Sequence, residues 1–216
     1  MITLYGSALS SYTAKVRIAL EFKQIPYVER EPEGGYRSAA WRARVPSGTI
    51  PAIEHEGVLL AESEAILEYL EECWPEPTLL PGPPPERARI RWIARLHDLH
   101  LEPRVRALFP LVRDPHGPER CADALDALNA QLAILARVSE PSPWLAGRFP
   151  SLADCGCAVS LQLARMICEH LGSGLPLPAP MERWLSVVNE HPALAKALEP
   201  WHDATRTWLR NARPTS

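Results

Sequence analysis

The sequence predicts a mixed α/β N-terminal domain followed by an all-helical one, and three observations carry that expectation. Ahead of residue 77, short β-branched runs alternate with helical patterns in the order βαβ and then ββα. The stretch from Trp74 to Pro85 holds six prolines in twelve residues, which cannot continue a helix and is stiff enough to separate two bodies. Beyond it, apolar residues recur only at helical spacing. The expected boundaries are residues 1–76, a linker at 77–85, and residues 86–216.

The elements follow in order. Ile2 to Tyr5 is an apolar, β-branched run closed by Gly6-Ser7, a strand and its turn. Ser10 and Ser11 precede a helical pattern over 12–22, and either serine can cap it by accepting a bond from an unpaired backbone N–H. Ile25-Pro26 ends that helix, residues 27–30 read as a second strand, and residues 36–44 as a short helix or irregular turn. Ile50 to His55 and Val58 to Ala61 flank Glu56-Gly57, a hairpin whose glycine permits positive φ. Glu62-Ser63 opens a helix through Cys73. In the second half, helices are expected over 86–112, 119–138, 151–171, 181–190 and 193–211, with loops at Pro115-His116-Gly117-Pro118 and Pro141-Ser142-Pro143.

Composition removes several classes. A net charge of −3 gives no electrostatic reason to expect nucleic acid or an anionic membrane as partner. No apolar run approaches the roughly 20 residues of a bilayer span, and no basic patch with an apolar stretch marks a signal peptide. Five cysteines without a C-x-x-C pair suit a reducing cytoplasm, and Cys155 and Cys157 read as core filling. His97 and His100, with Asp98 and Glu102 near them, are metal-type side chains, but no second pair at ligand spacing accompanies them, so no metal is expected. Phosphate-binding and hydrolase signatures are absent.

Four segments in sequence order resemble the cytosolic glutathione S-transferases. Leu4-Tyr5-Gly6-Ser7 with Ser10 and then Lys15-Val16-Arg17-Ile18-Ala19-Leu20 looks like the family's first strand, catalytic loop and first helix. Gly48-Thr49-Ile50-Pro51-Ala52-Ile53 is similar to the segment that holds its cis-proline. Glu62-Ser63-Glu64-Ala65-Ile66 is similar to the segment that receives a γ-glutamyl group. Trp144-Leu145-Ala146-Gly147, continuing to Ser151-Leu152-Ala153-Asp154, looks like the start of the buried sixth helix, and its capping box reads as a folding device. The resemblance covers nearly the whole chain, and implies a thioredoxin-like N-terminal domain, glutathione as cosubstrate and a serine-type transferase.

The implied roles agree with the chemistry of the residues. Ser10 lies between a strand end and a helix start, where N–H groups and the helix dipole favour negative charge. A hydroxyl there can stabilise the glutathione thiolate; lowering a thiol from about 8.5 to about 6.5 takes only ~2.7 kcal/mol. Ser11 stands where relatives often have proline, so the loop offers a second hydroxyl. The resemblance gives the Ile50 backbone at Pro51 to the cysteinyl backbone, the Ser63 hydroxyl and N–H to the γ-glutamyl carboxylate, and Glu62 to its ammonium. Two positions depart from the family pattern: Val45 replaces the usual Asn before Pro46, and Thr49 replaces the Lys that reaches the glycyl carboxylate. Arg37, Arg42 or Arg44 can substitute. The second substrate, a small electrophile, is expected against Leu99, Pro103, Arg104, Leu108 and Phe109, read as one side of one helix.

Other expectations attach to the same likeness. Cysteine-type relatives would need Cys at position 10, and zeta-type isomerases show Ser-Ser-Cys where this chain has Ser10-Ser11-Tyr12. Conjugation, with dehalogenation or peroxide reduction as variants, therefore leads. A glutathione-dependent isomerase of the maleylacetoacetate type and a non-catalytic binding protein on the same fold are the alternatives. A homodimer is expected, with the Arg-rich 86–95 of one subunit meeting the acidic 62–72 of the other across a two-fold axis.

Overall fold

Among the described residues, 1–114 and 116–212 of the computed structural model, the β-branched runs form one four-stranded sheet. β1 (Ile2–Tyr5), β2 (Tyr27–Arg30), β3 (Ala52–His55) and β4 (Val58–Ala61) lie in the order β2-β1-β3-β4. β1 pairs β2 in parallel, which demands a crossover, and α1 (Ser11–Phe22) supplies it. β3 pairs antiparallel with both β1 and β4. The β3–β4 turn has positive φ at Glu56 and Gly57 (49° and 82°), the two-residue hairpin geometry that matches strand twist. α2 (Ala39–Arg44) starts later than expected, with Ser38 as its N-cap, and α3 (Ser63–Cys73) follows β4 directly.

α1 is buried along ten of its twelve residues and packs against α3. Its apolar positions Val16 and Leu20 are fully buried, as are Ile2, Leu4, Ile66 and Leu70, with Ile53 nearly so. Lys15 and Arg17 are buried as well, and Lys23 at the C-cap follows them. Each cation meets a carboxylate: Lys15 Nζ lies 2.7 Å from Glu64, Arg17 makes two bonds to Glu29 at 2.6 and 2.5 Å, and Lys23 Nζ lies 2.6 Å from Glu71. Lys23 also donates to the carbonyls of Trp74 (2.6 Å) and Pro77 (3.0 Å), while Glu71 accepts from Leu79 N–H (2.9 Å) and the Thr78 hydroxyl. The proline-rich stretch is thus tied back onto its own unit through Leu79.

The chain divides at Leu79/Leu80. Met1–Leu79 forms the first unit together with Pro192–His202, where residues 86–216 were expected as one body. Lys196, within that segment, pairs with Glu21 at 2.8 Å. The linker expected at 77–85 is shorter than its prolines imply. α4 (Pro84–Leu96) begins inside it, because prolines at the first helical positions lack only N–H groups that would be unpaired anyway.

The second unit is helical: α4, α5 (Glu102–Arg106), α6 (Gly117–Ser139), α7 (Leu152–His170), α8 (Ala179–Glu190) and the latter part of α9 (Pro192–Ala212). The single helix expected over 86–112 is broken. A π turn occupies His97–Leu101 and a 3-10 turn Phe109–Arg113. The π turn widens the helix where His97 turns inward: its Nε2 lies 2.7 Å from Ser160 Oγ, its Nδ1 2.9 Å from Asp98, and Ser160 donates to Glu102. A Cβ at Gly156 would lie 2.5 Å from the His97 ring, so α7 admits that ring only at a glycine. Pro115, in the expected loop before α6, lies outside the described residues. α6 begins at Gly117, so the expected Pro115-His116-Gly117-Pro118 loop runs into the helix.

α7 opens with the expected capping box. Asp154 is fully buried and accepts from Ser151 N–H (2.8 Å), Ser151 Oγ (2.7 Å), Leu145 N–H (3.0 Å) and Trp184 Nε1 (2.8 Å). Burial pushes its carboxyl up, and these donors oppose that shift. All five cysteines are free thiols, and burial raises Cys168 to about 11. Because Asp154 joins the Leu145 loop, the α7 start and α8, Asp154→Ala should cost about 3 kcal/mol, the sum of a lost cap and orphaned buried donors. Urea unfolding followed by tryptophan fluorescence measures this; a loss below about 1 kcal/mol contradicts it.

Candidate functional site

Ser10, Ile50 and Ser63 lie on three different connections of the first unit's sheet. Ser10 caps α1: with extended backbone (φ −75°, ψ 118°) it accepts the Thr13 N–H at 3.2 Å. Capping uses a lone pair and leaves the hydroxyl proton to donate, so the cap is compatible with a hydrogen bond from the same side chain to an anionic ligand. The loop in front of it is held from below, since Arg17 Nη2 donates to the Ser7 carbonyl at 3.2 Å. Ser11, the first helical residue, is only 6% exposed, whereas Ser10 is half-buried and more open to a ligand.

α2 anchors the second connection. Trp41 is buried, and its Nε1 donates to the Thr49 carbonyl at 2.9 Å. Beneath this segment Trp41, Val45 and Ala52 form a small core with Tyr5 and Ile50 against it. Val45 therefore stands in place of a polar residue because its side chain is needed for packing; it is 4% exposed. The Ile50–Pro51 peptide is cis, as the resemblance implies. Within the described residues, no hydrogen bond takes up the Ile50 N–H or C=O, which leaves a donor and an acceptor open for an extended peptide.

The third connection is a tight one. Glu62 adopts φ 72° and ψ 114°, a conformation that non-glycine residues avoid, immediately before Ser63 at the start of α3. Backbone held this way marks sites where the surrounding fold imposes a geometry. The Ser63 hydroxyl makes no hydrogen bond among the described residues, and its N–H belongs to the unpaired first turn of α3.

Of the three arginines considered for a terminal carboxylate, Arg44 is held by side-chain hydrogen bonds, while the Arg37 guanidinium lies 5.5 Å from the ring centre of its neighbour Tyr36. Arg44 donates to Glu54 (2.8 Å) and to the Tyr5 hydroxyl (3.1 Å), with its guanidinium 4.9 Å from the Tyr5 ring centre. Arg42 lies across Gly48, its Nε 2.9 Å from where a Cβ would stand, and Arg37 N–H donates to the Gly48 carbonyl at 2.8 Å. Positive φ at Gly48 (67°) and Arg37 (66°) brings both arginines to the backbone leading into Thr49. Thr49 itself spends its hydroxyl on Ser47 at 2.7 Å.

The residues expected to meet a second substrate are dispersed in the second unit. Leu99, in the π turn, is 56% exposed, and Pro103 and Arg104 are exposed on α5. Phe109 is half-buried, 5.3 Å from the Trp208 ring and 5.6 Å from the Arg106 guanidinium. Leu108 is fully buried and offers nothing to a ligand. The expectation of one helical side fails because the π and 3-10 turns break the 3.6-residue period. Of the metal-type residues His97, Asp98, His100 and Glu102, His97 and Glu102 are spent on Ser160 and Asp98 meets the His97 ring, and no group of three such side chains that could hold a metal ion occurs among the described residues. Sequence reading missed the carboxylates paired with Lys15, Arg17 and Lys23; their trace is the placement of three cations in an otherwise apolar helical run.

Comparison with known proteins gives consistent likenesses. Residues 4–78 match the family described as glutathione S-transferase, N-terminal domain. The chain is 32% identical to a maleylacetoacetate isomerase of Pseudomonas aeruginosa over 89% of its own length and 92% of that protein's. It is 31% identical to a glutathione S-transferase of Pseudomonas putida over 77% of its length and 76% of that protein's. Its fold matches the holo structure of a bacterial maleyl pyruvate isomerase, described as a zeta-class glutathione S-transferase, with TM-score 0.74 and 23% identity over 92% and 97% of the two chains.

The Arg44–Glu54 contact supplies a direct check on this side of the sheet. Hydrogen bonds from Arg44, and then from Tyr5, hold the Glu54 carboxyl below the usual carboxylate range. Because its folded pKa lies below its unfolded one, Glu54 contributes stability above the ordinary carboxylate range, and that contribution is lost as pH falls through the folded value. The NMR titration of the Glu54 carboxyl carbon should therefore be displaced to low pH, and Arg44→Met should move it back toward the ordinary range, with the Tyr5 bond holding the remainder.

Proposed function

Because the chain belongs to the glutathione S-transferase family, we propose that it binds glutathione at Ser10, Ile50 and Ser63 and transfers the thiol, as thiolate, to small electrophiles. The observation that carries this is the Ser10 hydroxyl. It caps α1 through its lone pair, keeps its proton to donate, and stands at the positive end of a buried helix. The nucleophile is the cosubstrate's own sulfur, so the protein has only to hold that sulfur ionised and oriented. Attack forms the carbon–sulfur bond, and the leaving group departs with the bonding pair.

The remaining roles follow from which groups are unspent. The Ile50 N–H and C=O pair with the cysteinyl backbone, and the Ser63 hydroxyl and N–H receive the γ-glutamyl carboxylate with Glu62 attracting the ammonium. Arg42 and Arg37, not Arg44, take the glycyl carboxylate in place of the lysine that Thr49 replaces. Ser11 lines the same loop. In the helical unit, Leu99, Pro103, Arg104 and Phe109 contribute to holding the second substrate. Five free thiols fit action in the reducing cytoplasm.

A second reading has one observation behind it, the likeness to a protein named maleylacetoacetate isomerase. In an isomerisation the thiolate adds to a double bond, the bond rotates, and the thiolate leaves, so glutathione is not consumed. Tyr12 in place of the isomerase-type cysteine counts against it. Consumption of glutathione in step with the electrophile supports conjugation, and turnover with glutathione unchanged supports isomerisation.

Two substitutions test the assigned roles. Ser10→Ala should raise the pKa of bound glutathione and slow conjugation near neutral pH by about 10²–10³, with affinity for glutathione nearly kept. Ser63→Ala should instead weaken binding by about 1–3 kcal/mol. The pH dependence of thiolate absorbance and calorimetric titration measure the two effects. An unchanged thiolate titration in Ser10→Ala with a shifted one in Ser11→Ala would assign the role to Ser11, and a parent chain that binds glutathione but turns over no electrophile would be a binding protein. Assembly as a homodimer is checked by light scattering, which should give twice the 24.1 kDa chain mass at micromolar concentration.

A further inference from the structure

The two hydroxyls assigned to glutathione sit at the starts of two different helices, and a largely buried ion pair links α1 to the first turn of α3. Lys15 lies on α1 five residues beyond Ser10 and is 1% exposed. Glu64 lies in the first turn of α3, directly after Ser63. Lys15 Nζ meets Glu64 Oε2 at 2.7 Å, while Glu64 Oε1 is buried without a hydrogen-bond partner among the described residues. The Glu64 carboxylate is thus turned inward toward the lysine. A glutamate serving only the dipole of α3 would stay in water, where it interacts as well with the helix end and loses no hydration.

Stability does not account for this arrangement. A buried ion pair returns little over an apolar contact of the same size, because desolvation offsets the attraction. What it supplies is a fixed distance and direction, which an apolar contact does not. α1 has a second such arm: Arg17 is clamped by Glu29 and donates to the Ser7 carbonyl in the loop before Ser10. One helix therefore holds the Ser10 loop with one cation and the Ser63 turn with another.

We propose that Lys15 and Glu64 are positioning residues for glutathione: their buried pair sets the spacing of the Ser63 turn from the Ser10 turn, so that a single tripeptide meets both. This rests on the glutathione reading above. Glutathione carries its γ-glutamyl carboxylate and its thiol at a separation its own bonds limit, so a shifted α3 turn lets it satisfy one end at the expense of the other. Binding then weakens while the chemistry at the thiolate, once glutathione is seated, is unchanged.

Glu64→Gln and Glu64→Asp test this in the full-length protein. Asp keeps the charge but withdraws it by one methylene, so a purely electrostatic role would survive the change and a spacing role would not. In both variants KM for glutathione should rise about tenfold, a shift of about 1.4 kcal/mol, with kcat at saturating glutathione and the thiolate titration within about twofold of the parent. A residue that merely supports the fold would lower the unfolding midpoint and leave KM alone. If Glu64→Gln does not fold, Glu64→Asp decides. KM within about twofold of the parent in the folded variant overturns the proposal while leaving the glutathione reading intact. A parent chain whose rate and calorimetric titration show no response to glutathione overturns that reading, and this proposal with it.

Discussion

A helix buried on nearly all sides cannot hold a cation unless each charge finds a carboxylate, and α1 carries two, with a third at its C-cap. Lys15, Arg17 and Lys23 reach in three directions, to Glu64 on α3, to Glu29 on β2, and to Glu71 near the end of α3. Leaving any one unpaired in the interior costs several kcal/mol, so these three contacts constrain where β2 and both ends of α3 stand relative to α1. Sheet register, the placement of the Ser63 turn and the return of the proline-rich stretch all depend on that requirement.

The same helix shows how folding and chemistry share atoms. Ser10 stabilises α1 by accepting a bond and retains the proton that the proposed thiolate contact would use. Trp41 holds the Thr49 carbonyl and thereby presents the next residue with its backbone unpaired. In each case the fold uses one side of a polar group and leaves the other available. Glu62, with its positive φ, shows the same economy in backbone form, since the turn that ends β4 also starts α3 at Ser63.

Local patterns were legible in the sequence where neighbours along the chain determine the outcome. The Glu56-Gly57 hairpin, the capping box at Ser151 and Asp154, and the serine cap of α1 are interactions over two or three residues. Long-range partners were not legible. The helix expected over 86–112 breaks because His97 and Glu102 turn to Ser160, some sixty positions further on, and nothing near either residue signals that. The candidate site divides similarly: its segments were visible as motifs, but that Arg44 is held by Glu54 and Tyr5 was not. Arg42 becomes notable only through its approach to Gly48.

The scarcity of lysine has a practical corollary. Lys15, Lys23 and Lys196 are the chain's only lysines. The first two are sealed in the interior, their ammonium groups each occupied by a carboxylate, while the Lys196 side chain is 73% exposed. Among the lysines, amine-directed reagents acting on the native fold therefore have one handle, Lys196. Coupling to a surface or a fluorophore through lysine would proceed at one defined point, and would leave the ammonium groups that organise α1 untouched.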